Sequence, residues 1–283
     1  MHKITPDSVG IGLRHQHFTE IANRQTDVTR DIEWLEIHSE NFFAEGGYAI
    51  DILDKVAVHY PLSFHGSGLS LGSAQPLSRK HLAKLKNLIT YYQPALVSEH
   101  IAWTEINGSH MHDLLPIPYN QESLANICRN IDQTQQYLGR QILVENPSSY
   151  LEFKDSVMSE SDFMNQVAAR TNCGILLDIN NIYVSCQNHG WDCQLYLDNI
   201  EHAAVQELHL AGHYIRKLAD DKEVFIDGHG SDIIAPIWQL YEYYIRYYGM
   251  VATLIERDNN IPPLAELLQE AKQAKDIMRK VVA

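Results

Sequence analysis

At 283 residues with 45% hydrophobic side chains, the chain is long enough to fill a sizeable core, and it has no apolar run of the length that spans a bilayer. Its formal net charge of −14 argues against a phosphate-backbone partner, so neither nucleic acid nor membrane is expected. The segment Met1-His-Lys-Ile-Thr-Pro-Asp7 lacks the basic-then-apolar pattern of a signal peptide, which favours the cytoplasm, and Cys128, Cys173, Cys186 and Cys193 form no C-x-x-C pair in a chain too large to need disulfide staples.

In chain order, a strand is expected over 9–14, with two glycines that imply close backbone approach. A second strand follows over 34–38, then a helix over 48–59 carrying Ile50, Ile52, Leu53, Val56 and Val58. The third strand, 61–65, runs into a glycine-rich loop. Ser78 is a natural N-cap for a helix over 79–92, in which Leu82, Leu85, Leu88 and Ile89 keep helical spacing. The fourth strand is expected over 95–103, and a long loop over 110–119. Asn120 caps a helix that ends at Gly139, and the fifth strand is 141–145. A helix begins at Ser161 or Asp162 and runs to about residue 170. The sixth strand is 174–178, with Cys173 at its buried start. Residues 191–200 read as a helix with poor caps; Cys186 and Cys193 flank the loop before it. The seventh strand is 205–210, an extended stretch covers 223–230, and a helix covers 234–248. The eighth strand is 251–256, and Pro262-Pro263 opens a last helix reaching about residue 281.

Eight short apolar strands alternating with helices, with no compositional break, predict a single α/β domain over 1–283, a (β/α)₈ TIM barrel. An open doubly wound sheet is the alternative, but Gly10-Ile-Gly12 is no dinucleotide fingerprint. The barrel also explains a repeated grammar. Six strands end on a potential metal ligand: His65, His100, Glu145, Asp178, His209 and Glu256. The active sites of such barrels lie at the C-terminal strand ends, where all six would crowd one mouth. Carboxylates buried together without a cation repel one another and lose hydration, so a metal site is expected. Three imidazoles and three carboxylates exceed the needs of one tetrahedral ion, and Glu145 is the natural bridge between two. Asp227 and His229 would point the same way in extended chain, and with Asn181 they form a possible third position. Such mixed donors suit iron, manganese or zinc.

The segments Val9-Gly-Ile-Gly-Leu-Arg14, Glu36-Ile-His-Ser-Glu-Asn-Phe42, His65-Gly66, Ser98-Glu-His100, His112-Asp-Leu-Leu-Pro116, Val144-Glu-Asn-Pro-Ser-Ser149, Leu177-Asp-Ile-Asn-Asn181, Glu207-Leu-His-Leu-Ala-Gly-His213, Ile226-Asp-Gly-His229 and Ile255-Glu-Arg-Asp258 span nearly the whole chain. They resemble the multinuclear non-haem iron-dependent oxidative enzymes, the family of the methanobactin-biosynthesis oxygenase, within the xylose-isomerase-like barrel superfamily that includes endonuclease IV. The resemblance implies two or three iron ions that use O₂ to modify cysteine residues of a ribosomally made precursor peptide, often with a helical partner protein presenting the peptide. It implies His65, His100 and Glu145 on one ion, and Glu145, Asp178, His209 and Glu256 on the second. Asn181, Asp227 and His229 would hold a third, with Glu145, Asp178 and His209 nearest the chemistry. The chain departs from endonuclease IV at Asn181, where that enzyme would carry a histidine.

A metal-dependent hydrolase or phosphoesterase, a sugar isomerase and a non-catalytic metal binder are the rival readings. The isomerase lacks a strand-end lysine; Arg14 and Arg257 are the only nearby cations. His112, Asp113, Asn146, Tyr183 and His213 are further candidates for the mouth, and Glu36, His38 and Glu40 match motif positions without an assigned role.

Overall fold

The computed structural model describes residues 3–23, 29, 31–106, 109–219 and 221–282. Eight parallel strands close into a barrel in sequence order: β1 (Val9–Gly12), β2 (Leu35–His38), β3 (Leu62–Gly66), β4 (Leu96–His100), β5 (Leu143–Glu145), β6 (Gly174–Asp178), β7 (Val205–Leu210) and β8 (Ala252–Ile255), with β8 returning to pair with β1. The helices are α1 (Phe18–Asn23), α2 (Tyr48–Ala57), α3 (Arg79–Tyr92), α4 (Gln121–Leu138), α5 (Glu160–Thr171), α6 (Ile179–His189), α7 (Cys193–Asp198), α8 (Ala235–Tyr248) and α9 (Leu264–Val282). This is the expected TIM barrel.

Local chemistry accounts for the boundaries. Ser78, Asn120 and Ser159 each accept a hydrogen bond from the backbone N–H three residues on, starting α3, α4 and α5. Gly139 and Gly190, in the left-handed region, end α4 and α6. Inside the barrel, β1 turns Gly10 and Gly12 inward. A Cβ on Gly10 would lie 2.2 Å from the Trp34 ring, and one on Gly12 would lie 2.7 Å from the Arg14 guanidinium. The two glycines thus leave room for a fully buried indole toward the barrel floor and a largely buried cation toward the mouth.

Four expectations are corrected. The fourth strand stops at His100. The chain then leaves the barrel, with Ala102 O accepting from Gly72 N and Thr104 N donating to Ser70 Oγ. The stretch expected to be a loop instead forms an antiparallel hairpin, Trp103–Ile106 with Ser109–Leu115. Residues 179–189, given no element in the sequence reading, form α6; Asp178 Oδ1 caps it by accepting from Asn181 N at 2.6 Å. The helix near 191–200 shortens to α7 and is well capped, since Asp192 accepts from Gln194 N and Leu195 N. The extended stretch near 223–230 is one strand, Glu223–Asp227, of a second hairpin whose partner is His213–Lys217.

Candidate metal centre

Parallel register brings the strand ends together. His38 lies beside His65, His65 beside Ser98, His100 beside Glu145, and Asp178 beside His209. His65 Nδ1 is 2.8 Å from Ser98 Oγ, which turns Nε2 toward the axis, 2.9 Å from His100 Nε2 and 3.3 Å from Glu145 Oε2. His100 Nδ1 lies 3.2 Å from the same Glu145 oxygen. One donor atom each from His65, His100 and Glu145 fall within 4.8 Å of one another, as do donors from Glu145, Asp178 and His209. Glu145 therefore belongs to both trios.

On the far side, His209 Nδ1 meets Glu256 Oε2 at 2.9 Å, while its Nε2 sits 3.2 Å from Glu36 Oε2 and 3.7 Å from Glu207 Oε1. Arg14 Nη2 reaches Asp258 Oδ1 at 2.5 Å and Glu256 Oε1 at 4.0 Å, and contacts His38 Nε2 at 3.0 Å. Asn146 couples β5 to β6: its amide donates to Asp178 O and its carbonyl accepts from Asp178 N.

Asp227 and His229 also converge, with Asp227 Oδ1 2.5 Å from His229 Nε2. Extended chain is not the cause. His229 has φ +44°, in the left-handed region, and it follows a glycine that ends the hairpin. That conformation is uncommon for a residue with a Cβ and marks a place where the site overrides local preference. His229 Nδ1 lies 3.4 Å from Glu256 Oε2. Asn181 Nδ2 donates to Glu145 Oε1 and to Asn146 O, and it is Asn180 that donates to Asp227 Oδ1, at 2.8 Å.

The donor set asks for cations. Glu36, Glu145, Asp178, Glu207, Asp227, Glu256 and Asp258 gather at the mouth, all but Asp227 and Asp258 buried, and among the described residues Arg14 pairs only with Glu256 and Asp258 of these. Glu145 Oε2, Asp178 Oδ2, Asn181 Oδ1 and His229 Nε2 are buried without a hydrogen-bond partner. Burial, reinforced by neighbouring acids, pushes Glu145 well above the usual carboxylate range and Asp178 to about 7. Burial lowers His65 and brings His100 to about 4, keeping both imidazoles neutral and available as ligands. For His209, burial is outweighed by the charges of Glu36 and Glu256, and the ring is pushed well up. A cation among these groups would satisfy the stranded lone pairs and hold the acids ionised. The set therefore fits two or three metal ions.

The structure thus brings together all nine residues singled out as ligands. Glu207 and Ser98 are not among the residues singled out from the sequence, and Glu36 is there only as a motif position without a role, although a signal exists for all three. Each lies two positions before a strand-end histidine, on the same strand face, and an acidic or hydroxylic residue there interrupts an otherwise apolar run. His213 is buried, with Nδ1 3.0 Å from Asn180 Oδ1, and Tyr183 packs on its ring; Asp113 is exposed on its hairpin. The side chain of His112 lies outside the described residues. Glu40, His81 and Glu99 form a separate group, where Glu40 Oε1 accepts from Ser67 N and Gly68 N and so braces the loop after His65. Burial raises the Cys173 thiol to about 11, consistent with an inert core residue, and Cys186 and Cys193 do approach, with hydrogen-bonded thiols.

A family of RiPP precursor modification enzymes, MbnB/TglH/ChrH, matches residues 8–279; RiPPs are ribosomally synthesised and post-translationally modified peptides. A UPF0276 protein of Psychromonas ingrahamii is 45% identical over 282 residues, covering 99% of this chain and 98% of the relative. Among solved structures, a xylose isomerase-like TIM barrel protein from Mycobacterium smegmatis, in complex with magnesium, superposes with a TM-score of 0.64 over 100% of both chains at 9% identity. Endonuclease IV from Thermus thermophilus superposes with a TM-score of 0.59 over 97% of this chain and 98% of its own, at 15% identity. The structural likenesses speak for the barrel alone. The sequence match over almost the full length places this chain in the MbnB/TglH/ChrH family of RiPP precursor modification enzymes.

Proposed function

We propose that the protein, acting as a single barrel domain over 1–283 in the cytoplasm, is a multinuclear iron-dependent oxidase that uses O₂ to modify cysteine residues of a ribosomally made precursor peptide. The observation that carries this reading is the sharing of buried Glu145 between two trios of donors, His65–His100–Glu145 and Glu145–Asp178–His209, with Glu256 against His209. Imidazole and carboxylate donors in this mixture suit iron, with zinc or manganese as substitutes. Iron bound there would supply one-electron chemistry with O₂ and an affinity for a soft substrate thiolate.

The chain's own residues do the rest. Ser98 turns His65 so that Nε2 faces inward, and Asn146 ties Asp178 to the strand carrying Glu145. Arg14 offsets part of the negative charge around Glu256 and Asp258 without reaching the axis. Asn181, whose Oδ1 is buried without a partner, joins Asp227 and His229 as the third position. The two hairpins follow β4 and β7 at the C-terminal face, the face from which a peptide would reach the mouth. The acidic surface suits a basic leader segment or a basic, helical partner that delivers it.

The test is anaerobic purification followed by metal analysis and Mössbauer spectroscopy on one sample. Two or three irons per chain, in a coupled cluster that responds to O₂ and to a cysteine peptide, is the expected result. Tightly held zinc that iron cannot replace, with turnover indifferent to O₂, would overturn the reading in favour of a metal-dependent hydrolase.

A further inference from the structure

Two acids one layer below the mouth lie outside the nine expected ligands, although with His209 they offer donor atoms within 4.8 Å of one another. Glu36 on β2 and Glu207 on β7 are both 0% exposed, and they face the same nitrogen, His209 Nε2, at 3.2 and 3.7 Å. Neither Glu36 oxygen has a hydrogen bond among the described residues, and Glu207 has only Ser63 Oγ on its other oxygen, at 3.3 Å. With Ser63 Oγ the only hydrogen-bond donor to either acid among the described residues, a proton on the ring nitrogen between them is what would offset their charge. The opposite nitrogen, Nδ1, faces Glu256 Oε2 at 2.9 Å.

We infer that Glu36 and Glu207 are positioning residues that fix the His209 proton on Nε2, so that Nδ1 presents its lone pair to the metal as an unusually strong donor. This rests on the reading of His209 as a ligand. A carboxylate behind a ligating imidazole sets its tautomer, fixes its orientation and raises its basicity. The contrast with the other trio sharpens the inference. There the corresponding partner of His65 is the neutral hydroxyl of Ser98. One barrel thus holds one histidine behind a hydroxyl and another behind two acids, and the ion on His209 is the more strongly donated to.

The experiment uses the full chain, with zinc as a diamagnetic probe and ¹⁵N NMR of the imidazoles, the His209 signals being those lost in His209→Gln. The expected result is a protonated Nε2 and a metal-bound Nδ1. Glu36→Gln, which keeps an acceptor but removes the charge, should weaken zinc binding at that ion about tenfold, and Glu36→Gln with Glu207→Gln about a hundredfold. Ser98→Ala should leave the His209 signals where they are. Three results would overturn the inference: zinc on Nε2, an unchanged affinity in the double variant, or variants that only lose thermal stability while affinity and His209 signals stay put. If wild-type protein binds no zinc, or His209→Gln binds as much as wild type, the reading of His209 as a ligand fails and the inference falls with it. Full binding by wild type with unaffected glutamate variants sinks the inference alone.

Discussion

Glu145 and Glu160 stand at the two ends of one loop, the first closing β5 and the second opening α5, and both are buried. Their surroundings differ. Glu160 receives Tyr119 Oη at 2.6 Å and Tyr196 Oη at 2.7 Å, one phenol on each oxygen. Glu145 has one amide donor, from Asn181, and its Oε2 lies between His65 and His100 without a hydrogen bond. A buried carboxylate costs several kcal/mol unless something compensates it. At Glu160 the compensation is built from the chain itself, and the group clasps the 116–119 segment, α5 and α7 together. At Glu145 the chain sets two neutral imidazoles beside Oε2 without a hydrogen bond from either, and a shared cation would supply what they do not. The lesson is that burial alone does not mark a functional acid; the type of donor around it does.

The largest effect should come from removing the bridge. Glu145→Gln is expected to release both ions of the shared site, with metal content falling to the level of a chelated control while the far-ultraviolet circular dichroism stays native. Glu160→Gln should keep wild-type metal content. If the two variants lost metal equally, the contrast between the two acids would be wrong. Next in size is removal of the ions themselves. A ligand that binds only the folded state stabilises it by about 4 kcal/mol at a thousand times its dissociation constant. Chelation should therefore lower Tm in wild type and leave Glu145→Gln unmoved, as scanning calorimetry would read.

Only the Glu145 half of this contrast is legible in the sequence. The barrel follows from eight apolar runs, and six strand-end ligands follow from the barrel, because a parallel closed sheet turns one-dimensional spacing into convergence. Glu145 is reached that way. Glu160 is not, since nothing in Ser159-Glu-Ser161 says that two tyrosines, 41 and 36 residues away, will reach it. Glu36 and Glu207 fall between these cases: period-two alternation puts them on the inner face, but their closeness to His209 depends on register across the closed barrel. Asp227 and His229 meet for a reason opposite to the one expected, a left-handed histidine instead of an extended one. Side-chain convergence within a strand can be read from spacing, whereas convergence between distant loops needs the fold.

A proton can play at Glu160 the part a cation plays at Glu145, and pH separates the two. Burial raises the Glu160 carboxyl to about 7, with the two phenols pulling the other way. The folded chain therefore holds this proton more tightly than the unfolded chain, whose value is near 4.5. The resulting stability is fully present below about pH 4.5 and is lost as pH rises through about 7, amounting to about 3 kcal/mol over that range. Glu160→Gln does not titrate, so the Tm of wild type relative to the variant should fall between pH 5 and pH 8. A relative rise would mean that the phenols hold the group ionised.

The smallest effect is the most discriminating. Tyr196→Phe leaves Glu160 with a single phenol donor at a buried carboxylate, and hydrogen bonds to charged groups are worth about 2 kcal/mol. Tyr119→Phe should cost a similar amount, and the double variant less than the sum, because both phenols act on one carboxylate and the second loss falls on a group already pushed toward its neutral form. Thermal melts of the four proteins at pH 8, where the carboxylate is ionised, would measure that coupling. At pH 5 the coupling should shrink, since a neutral carboxyl group needs its donors less. Metal content should not change in any of them. If it did, the two ends of the loop would be energetically one site, and the satisfied acid would be serving the unsatisfied one through the 146–159 segment between them.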